Sequence, residues 1–301
     1  MALHARKRLT KWLMRRLGRD RSLTEHAAAA GITVAQYAFA RVAARPPRRQ
    51  VPADVADWLK EIEHSGYCVV PAFFDSAICA QCVAELERLF AEYPDYVQRK
   101  SDSRIFGVEA ASPLLGSFGE EPRLSLAAEC MLRDVTINAF TLGARIDEAP
   151  GNKGSGEGWH RDSFVVQFKA ILYLSDVEAD NGPFQLIADS EKLPRLVADM
   201  LQARLGLSQN RVDDAQVARL LARDPSRLRT FIAKAGTLLL VNTSAIHRGQ
   251  PIERGSRYAL TNYYVQRSRA GAAMDAHFAP VLRKAGVARA AARPETVQSA
   301  R

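Results

Sequence analysis

Two runs limit the fold of this chain more than any other feature. One is Gly158-Trp159-His160-Arg161-Asp162-Ser163, continued by the apolar stretch Phe164 to Leu174; the other is the turn at Gly236 followed by Thr237 to Ile246, with His247 at its end. His160 and Asp162 stand two apart, and in extended backbone that spacing turns both side chains to one face. An imidazole and a carboxylate at a strand end supply two of the three ligands of a facial triad for Fe(II), which leaves other positions open. The apolar run behind them reads as a buried strand, rigid enough to hold ligands. Of the six histidines (His4, His26, His64, His160, His247 and His277), His247 stands out because a second buried strand delivers it. Ten residues later Arg257 opens Arg257 to Val265, another strand-like run. A guanidinium at a strand start suits a fork-shaped grip on a dicarboxylate.

With Tyr173-Leu174-Ser175-Asp176, Asn181-Gly182-Pro183-Phe184, Gly236 and His247-Arg248-Gly249 added, the chain resembles the phytanoyl-CoA dioxygenase family over roughly residues 58 to 267. The resemblance implies a mainly β fold, a double-stranded β-helix or jelly roll with flanking helices. It implies an Fe(II)- and 2-oxoglutarate-dependent dioxygenase with O2 as cosubstrate, which hydroxylates an unactivated C–H bond and releases succinate and CO2. The metal ligands carry over to His160, Asp162 and His247, and the clamp on the distal carboxylate of 2-oxoglutarate to Arg257. Arg254 and Arg248 lie close enough in sequence that a change in loop length could exchange Arg254 with Arg257. Asn138 or Thr141 could reach the cosubstrate, and Arg104, Phe106 and Trp159 are candidate substrate contacts, with packing favoured for Trp159. Many relatives carry Pro-Gly-Ser-His after the Asn-Gly turn, where this chain has Leu186-Ile187-Ala188-Asp189-Ser190-Glu191-Lys192. The related halogenases lack the acidic ligand; Asp162 favours hydroxylation over chlorination. Two readings stay open beside this one, a zinc-dependent hydrolase using the same ligands and a non-catalytic binding protein on a jelly-roll scaffold.

Hydrophobic content of 47% and charged content of 25% fit a soluble globular protein. No apolar run is long enough to span a bilayer. Cys68, Cys79, Cys82 and Cys130 form neither a disulfide framework nor a zinc site, which fits reduced thiols in the cytoplasm. The net charge of +9 is unevenly placed: residues 1–50 hold twelve Lys or Arg against Asp20 and Glu25, a net of +10, and residues 51–301 have a net of −1. The basicity therefore belongs to an appendage, and nucleic acid is not the expected partner of the body.

Three parts are expected: a basic N-terminal extension over 1–50, an oxygenase body over 51–267 and a partly loose tail over 268–301. In residues 1–21, Leu9, Trp12, Leu13 and Leu17 line one side of a helix whose other faces carry Arg6, Lys7, Lys11, Arg15 and Arg19. Such a helix packs on the body, lies on the inner face of an anionic membrane, docks on a partner or contacts nucleic acid. Helices are expected over 27–44, 53–65, 77–93 and 124–132, and strands over 67–71, 135–142, 165–174, 229–232, 237–241 and 257–265. Residues 94–122 read as a turn-rich cover for the site mouth, and the glycine-rich 148–158 as a mobile approach to it. If His160 and Asp162 point inward, the same parity sends Phe164, Val166, Phe168, Ala170 and Leu172 inward and Gln167 and Lys169 away. The helical insertion over 193–223 is a candidate lid or oligomer surface. The expected partner is a small-molecule substrate, a metabolite or a lipid- or glycan-type molecule, whose identity the sequence leaves open, as it does the oligomeric state.

Overall fold

The computed structural model describes residues 23–43, 50–207 and 209–267; the basic helix expected over 1–21, most of the Pro/Arg linker and the tail from 268 lie outside them. The described helices are α1 (Leu23–Ala43), α2 (Ala53–Ser65), α3 (Ser76–Glu92), α4 (Pro113–Glu120), α5 (Pro122–Leu132), α6 (Leu193–Gln202) and α7 (Asp214–Leu221). The strands are β1 (Tyr67–Val70), β2 (Gln98–Arg99), β3 (Ser103–Phe106), β4 (Thr136–Asp147), β5 (Phe168–Tyr173), β6 (Phe184–Ile187), β7 (Leu228–Phe231), β8 (Leu238–Asn242), β9 (His247–Gly249) and β10 (Ser256–Gln266). None of the described helices is long and apolar enough to cross a membrane.

Two antiparallel sheets carry the site. The larger runs β1-β8-β5-β10-β4-β3-β2 and the smaller β7-β6-β9. Period-two alternation sorts the larger sheet's side chains. Phe168, Ala170, Leu172, Leu238, Leu240 and Leu260 join a core with α2 to α5. Tyr173, Leu239, Val241 and Ala259 turn the other way, onto Phe184, Leu186 and Phe231 of the smaller sheet. The outer face of the smaller sheet is covered in turn, where Ile187 and Ile246 pack with Trp159, with Leu196 and Met200 of α6 and with Ala29 and Ala30 of α1. This layered pair of sheets is the double-stranded β-helix, with helices on both flanks.

Local chemistry sets the flanking helices. Val55, Trp58 and Ile62 form the buried stripe of α2, and Gly66 ends it at φ +83° with its N–H donating to Ile62 O. Asp75 caps α3 by accepting from Ala77 N, and Asp213 with Gln216 makes a reciprocal capping box on α7. The turn-rich reading of 94–122 needs correcting, since β2, β3 and the whole of α4 lie there. Ser112 accepts from Leu115 N and Pro113 occupies the first turn, a start signal that sequence reading passed over.

Candidate metal centre

The two histidines are tied to each other by backbone before any metal is considered. His160 N–H donates to His247 O at 2.9 Å and His247 N–H to His160 O at 2.8 Å. That pairing sets their rings 4.3 Å apart, centroid to centroid. Asp162 is fixed by its own N–H donating to Thr243 O at 3.0 Å. Its carboxylate lies 3.7 Å from His160 Nε2 and 3.9 Å from His247 Nε2. One ligand atom from each residue falls within 4.8 Å of the others, so the three could hold a metal ion. Each ring faces a main-chain carbonyl through Nδ1, Gly158 O for His160 and Ala245 O for His247, both at 2.9 Å. A carbonyl only accepts, so Nδ1 carries the proton and Nε2 presents its lone pair to the site. Burial, and then the neighbouring imidazole, push His160 down to about 3. Burial likewise pulls His247 below the usual imidazole range. Burial alone would raise Asp162; the Lys169 ammonium and both imidazoles hold it well below the usual carboxylate range. Two neutral imidazoles and one carboxylate are the donor set of a facial Fe(II) site.

These ligands open on a cleft of about 490 Å³ that also holds Arg257, Tyr173, Phe184, Arg104 and Phe106. Arg257 is buried, its Nη1 donates to Gly182 O, and its Nε has no hydrogen-bond partner among the described residues. Burial draws its guanidinium below the usual arginine range. An orphaned, buried guanidinium nitrogen on the cleft that the metal ligands face fits the carboxylate of a bound dicarboxylic acid. Arg254 lies elsewhere, exposed and paired with Glu178 and Asp180, so the exchange considered for these two arginines is corrected.

Other placements also differ from expectation. Asn138 and Thr141 face away from His160, Asp162 and His247: Asn138 Nδ2 donates to Thr141 Oγ1 at 3.1 Å and Thr141 Oγ1 to Asn262 Oδ1 at 2.7 Å. Both crowd Gly119 of α4, so neither reaches a cosubstrate. A bulge at Tyr263/Tyr264 against β4 sets Asn138 on that side. Trp159 is 5% exposed in the core under α6, with the Arg248 guanidinium 4.3 Å from its ring centre, and makes no wall of the cleft. Arg104 and Phe106 do line the cleft.

The parity expected for β5 is reversed. Thr243 O accepts from Asp162 N and Thr243 N donates to Gln167 O, so the segment between loops around one residue. Beyond it Lys169, Ile171 and Tyr173 face the cleft, while Phe168, Ala170 and Leu172 face the helices. Lys169 Nζ reaches Asp162 Oδ2 at 2.7 Å and lies 4.1 Å from the Tyr263 ring centre. Sequence reading missed it, although one lysine in an otherwise apolar run demands a buried partner. The glycine-rich approach is also tied down: Ser155 Oγ donates to Asp102 Oδ2 at 2.7 Å, Glu157 accepts from Ser101 N at 2.8 Å, and Asn152 Nδ2 donates to Ser101 O at 2.7 Å.

The phytanoyl-CoA dioxygenase (PhyH) family model matches residues 62–257. An ectoine dioxygenase of Bordetella bronchiseptica is 25% identical over 216 residues, covering 64% of this chain and 68% of that protein. EctD from S. alaskensis, solved with 2-oxoglutarate and 5-hydroxyectoine, superposes with a TM-score of 0.54 at 18% identity, over 75% of this chain and 83% of that one. The epimerase SnoN, in complex with Fe3+, alpha ketoglutarate and nogalamycin RO, gives 0.55 at 16%, over 71% and 84%. The two superpositions establish the fold. The family match runs from the last turn of α2 to the first residues of β10, well over half of the chain, and the chain therefore belongs to the phytanoyl-CoA dioxygenase family of Fe(II)-, 2-oxoglutarate- and O2-dependent oxygenases.

Proposed function

We propose that this dioxygenase hydroxylates an unactivated C–H bond of a small metabolite bound in the cleft beside His160, Asp162 and His247. The observation that carries this reading is the convergence of those three residues on the cleft that holds Arg257, whose Nε has no partner among the described residues. Bound iron and 2-oxoglutarate would supply the oxidising power, dioxygen being reduced as the oxo acid becomes succinate and CO2.

What the chain supplies is placement. His160 and His247 offer Nε2 and Asp162 a carboxylate oxygen, while Arg257 pairs with the distal carboxylate of the cosubstrate. Phe106 and Tyr263 form an aromatic wall of the cleft, backed by Phe140, whose ring lies 5.5 Å from Phe106 and 4.5 Å from Tyr263. Such a wall excludes water and fixes the angle at which a substrate C–H bond meets the metal. Arg104, which lines the cleft and is bound to Asp102 at 2.7 Å, is the substrate contact we assign on polarity. The relatives' names, ectoine dioxygenase among them, support a small-molecule substrate.

The test is an anaerobic titration of apoprotein with Fe(II) and 2-oxoglutarate, following the visible charge-transfer band. The band is expected in the parent, absent in His160→Ala and Asp162→Ala, and shifted to at least about tenfold higher 2-oxoglutarate in Arg257→Gln. A folded, iron-binding parent without the band sinks the proposal, and zinc retention without iron binding moves it to hydrolysis.

A further inference from the structure

Lys169 takes no part in the function proposed above, yet it makes the shortest polar contact to the metal ligands. Its Nζ lies 2.7 Å from Asp162 Oδ2, against 3.7 Å from Asp162 Oδ1 to His160 Nε2. It is 7% exposed, and the Tyr263 ring under the ammonium holds it from the other side. It also stands where two cavities meet. The main cleft and a second cavity of about 300 Å³, walled by Phe140, Val166 and Val265, share Asp162, Lys169 and Tyr263. A buried cation on a ligand carboxylate does two separable things. It engages one carboxylate oxygen, leaving the other as the donor to a metal. It also adds positive charge to the pocket, which disfavours an entering dication and favours an entering dianion.

We infer that Lys169 is a positioning residue that holds Asp162 to one-oxygen ligation and exchanges metal affinity for cosubstrate affinity. The inference rests on the proposed iron and 2-oxoglutarate site and adds to it a charge balance that the three ligands and Arg257 do not contain. The carboxylate oxygen at 2.7 Å and the Tyr263 ring at 4.1 Å are the two partners that a buried ammonium needs. The Coulomb term has opposite sign for the two ligands, and that separates the role from simple support. Loosening the site would weaken both; removing a charge strengthens one and weakens the other.

The experiment uses the full chain as apoprotein, with Lys169→Met as the charge-free variant of similar length and Lys169→Arg as the conservative one. Circular dichroism confirms that each is folded. Fe(II) is titrated alone, anaerobically, and 2-oxoglutarate is then titrated into the iron-loaded protein by its charge-transfer band. In Lys169→Met the Fe(II) affinity is expected to rise by up to about tenfold, and the 2-oxoglutarate affinity to fall by about tenfold or more. Lys169→Arg should restore both to within about threefold of the parent. Loss of both affinities in Lys169→Met without rescue by arginine overturns the inference, as does an unchanged 2-oxoglutarate affinity. A parent that binds Fe(II) but shows no band overturns the underlying function instead, so the two failures are told apart.

Discussion

Glu191 has one carboxylate oxygen without a partner among the described residues, and its carboxyl group lies where a side chain on Gly66 would meet it. Burial pushes it up from 4.5 to about 7, with the Asp189 charge adding and Lys192 and Arg161 opposing. The folded carboxyl thus keeps its proton where the unfolded chain has released it. This group's contribution is whole below about 4.5 and is lost as pH rises through 7, on the order of 2 to 3 kcal/mol. Glu191→Gln removes that loss. Urea unfolding at pH 5 and pH 7.5 should find the parent losing stability over this interval relative to the variant; parallel behaviour would refute the assignment. What was legible at this scale follows the range of the physics involved. That His160, Asp162, His247 and Arg257 would meet in one cleft could be anticipated, because the spacing in extended backbone and the strand runs around them are local features. Lys169 was sent the wrong way because parity holds only while the strand is unbroken, and the loop around Thr243 breaks it. Asn138 and Thr141 failed for a related reason, as β4 bulges against β10 between Asn138 and Phe140.

The insertion shows the same limit for whole elements. Its helices follow from apolar spacing, and they form as α6 and α7, but what they touch is set by distant chain. The segment between them runs beside the metal ligands: Arg161 N–H donates to Asn210 O at 2.9 Å and Val212 N–H to Trp159 O at 3.0 Å. Arg211 of that segment lines the cleft and donates to Gly156 O. Part of the insertion is thus cleft wall, and no pattern inside it announces this. Its other anchor is Asp199 of α6 against Arg227 just before β7, a two-pronged pair at 2.9 and 2.7 Å with side chains 1% and 4% exposed. Arg227 Nε also donates to Ala188 O, so the pair joins the insertion to the smaller sheet. Removing one partner strands a buried charge, so Arg227→Met should cost about 3 to 5 kcal/mol in chemical denaturation. Asp199→Leu in the same chain should recover most of it. A double variant no better than the single would mean that the loss comes from packing.

Across the whole molecule, charge and packing assign the first fifty residues differently. By charge they are an appendage, a net of +10 beside a body of −1. By packing, part of them belongs to the body, since Ala29 and Ala30 of α1 are buried against Leu196 and Met200 of α6. Sequence reading placed a boundary near residue 50 from the prolines and arginines there, and had no means of knowing that a mildly apolar, alanine-rich helix folds back across that boundary. Small residues allow close helix approach without a strong amphipathic signature, which is why the pattern was weak. The consequence is a chain of contacts from α1 to α6, from the insertion to residues 159–161, and so to His160. Two shortened chains separate charge from packing. A chain beginning at residue 23 loses eight basic residues and Asp20 but keeps α1. It should match the full chain in unfolding midpoint and in Fe(II) affinity. A chain beginning at residue 51 uncovers the α6 face, so its midpoint should fall by several degrees, about the shift that 1 to 2 kcal/mol produces in a domain of this size. With the insertion less firmly seated, its Fe(II) affinity should fall a few-fold. Equal midpoints for the two shortened chains would make α1 a passive cover; a lower midpoint with unchanged iron binding would show that the packing stops short of His160.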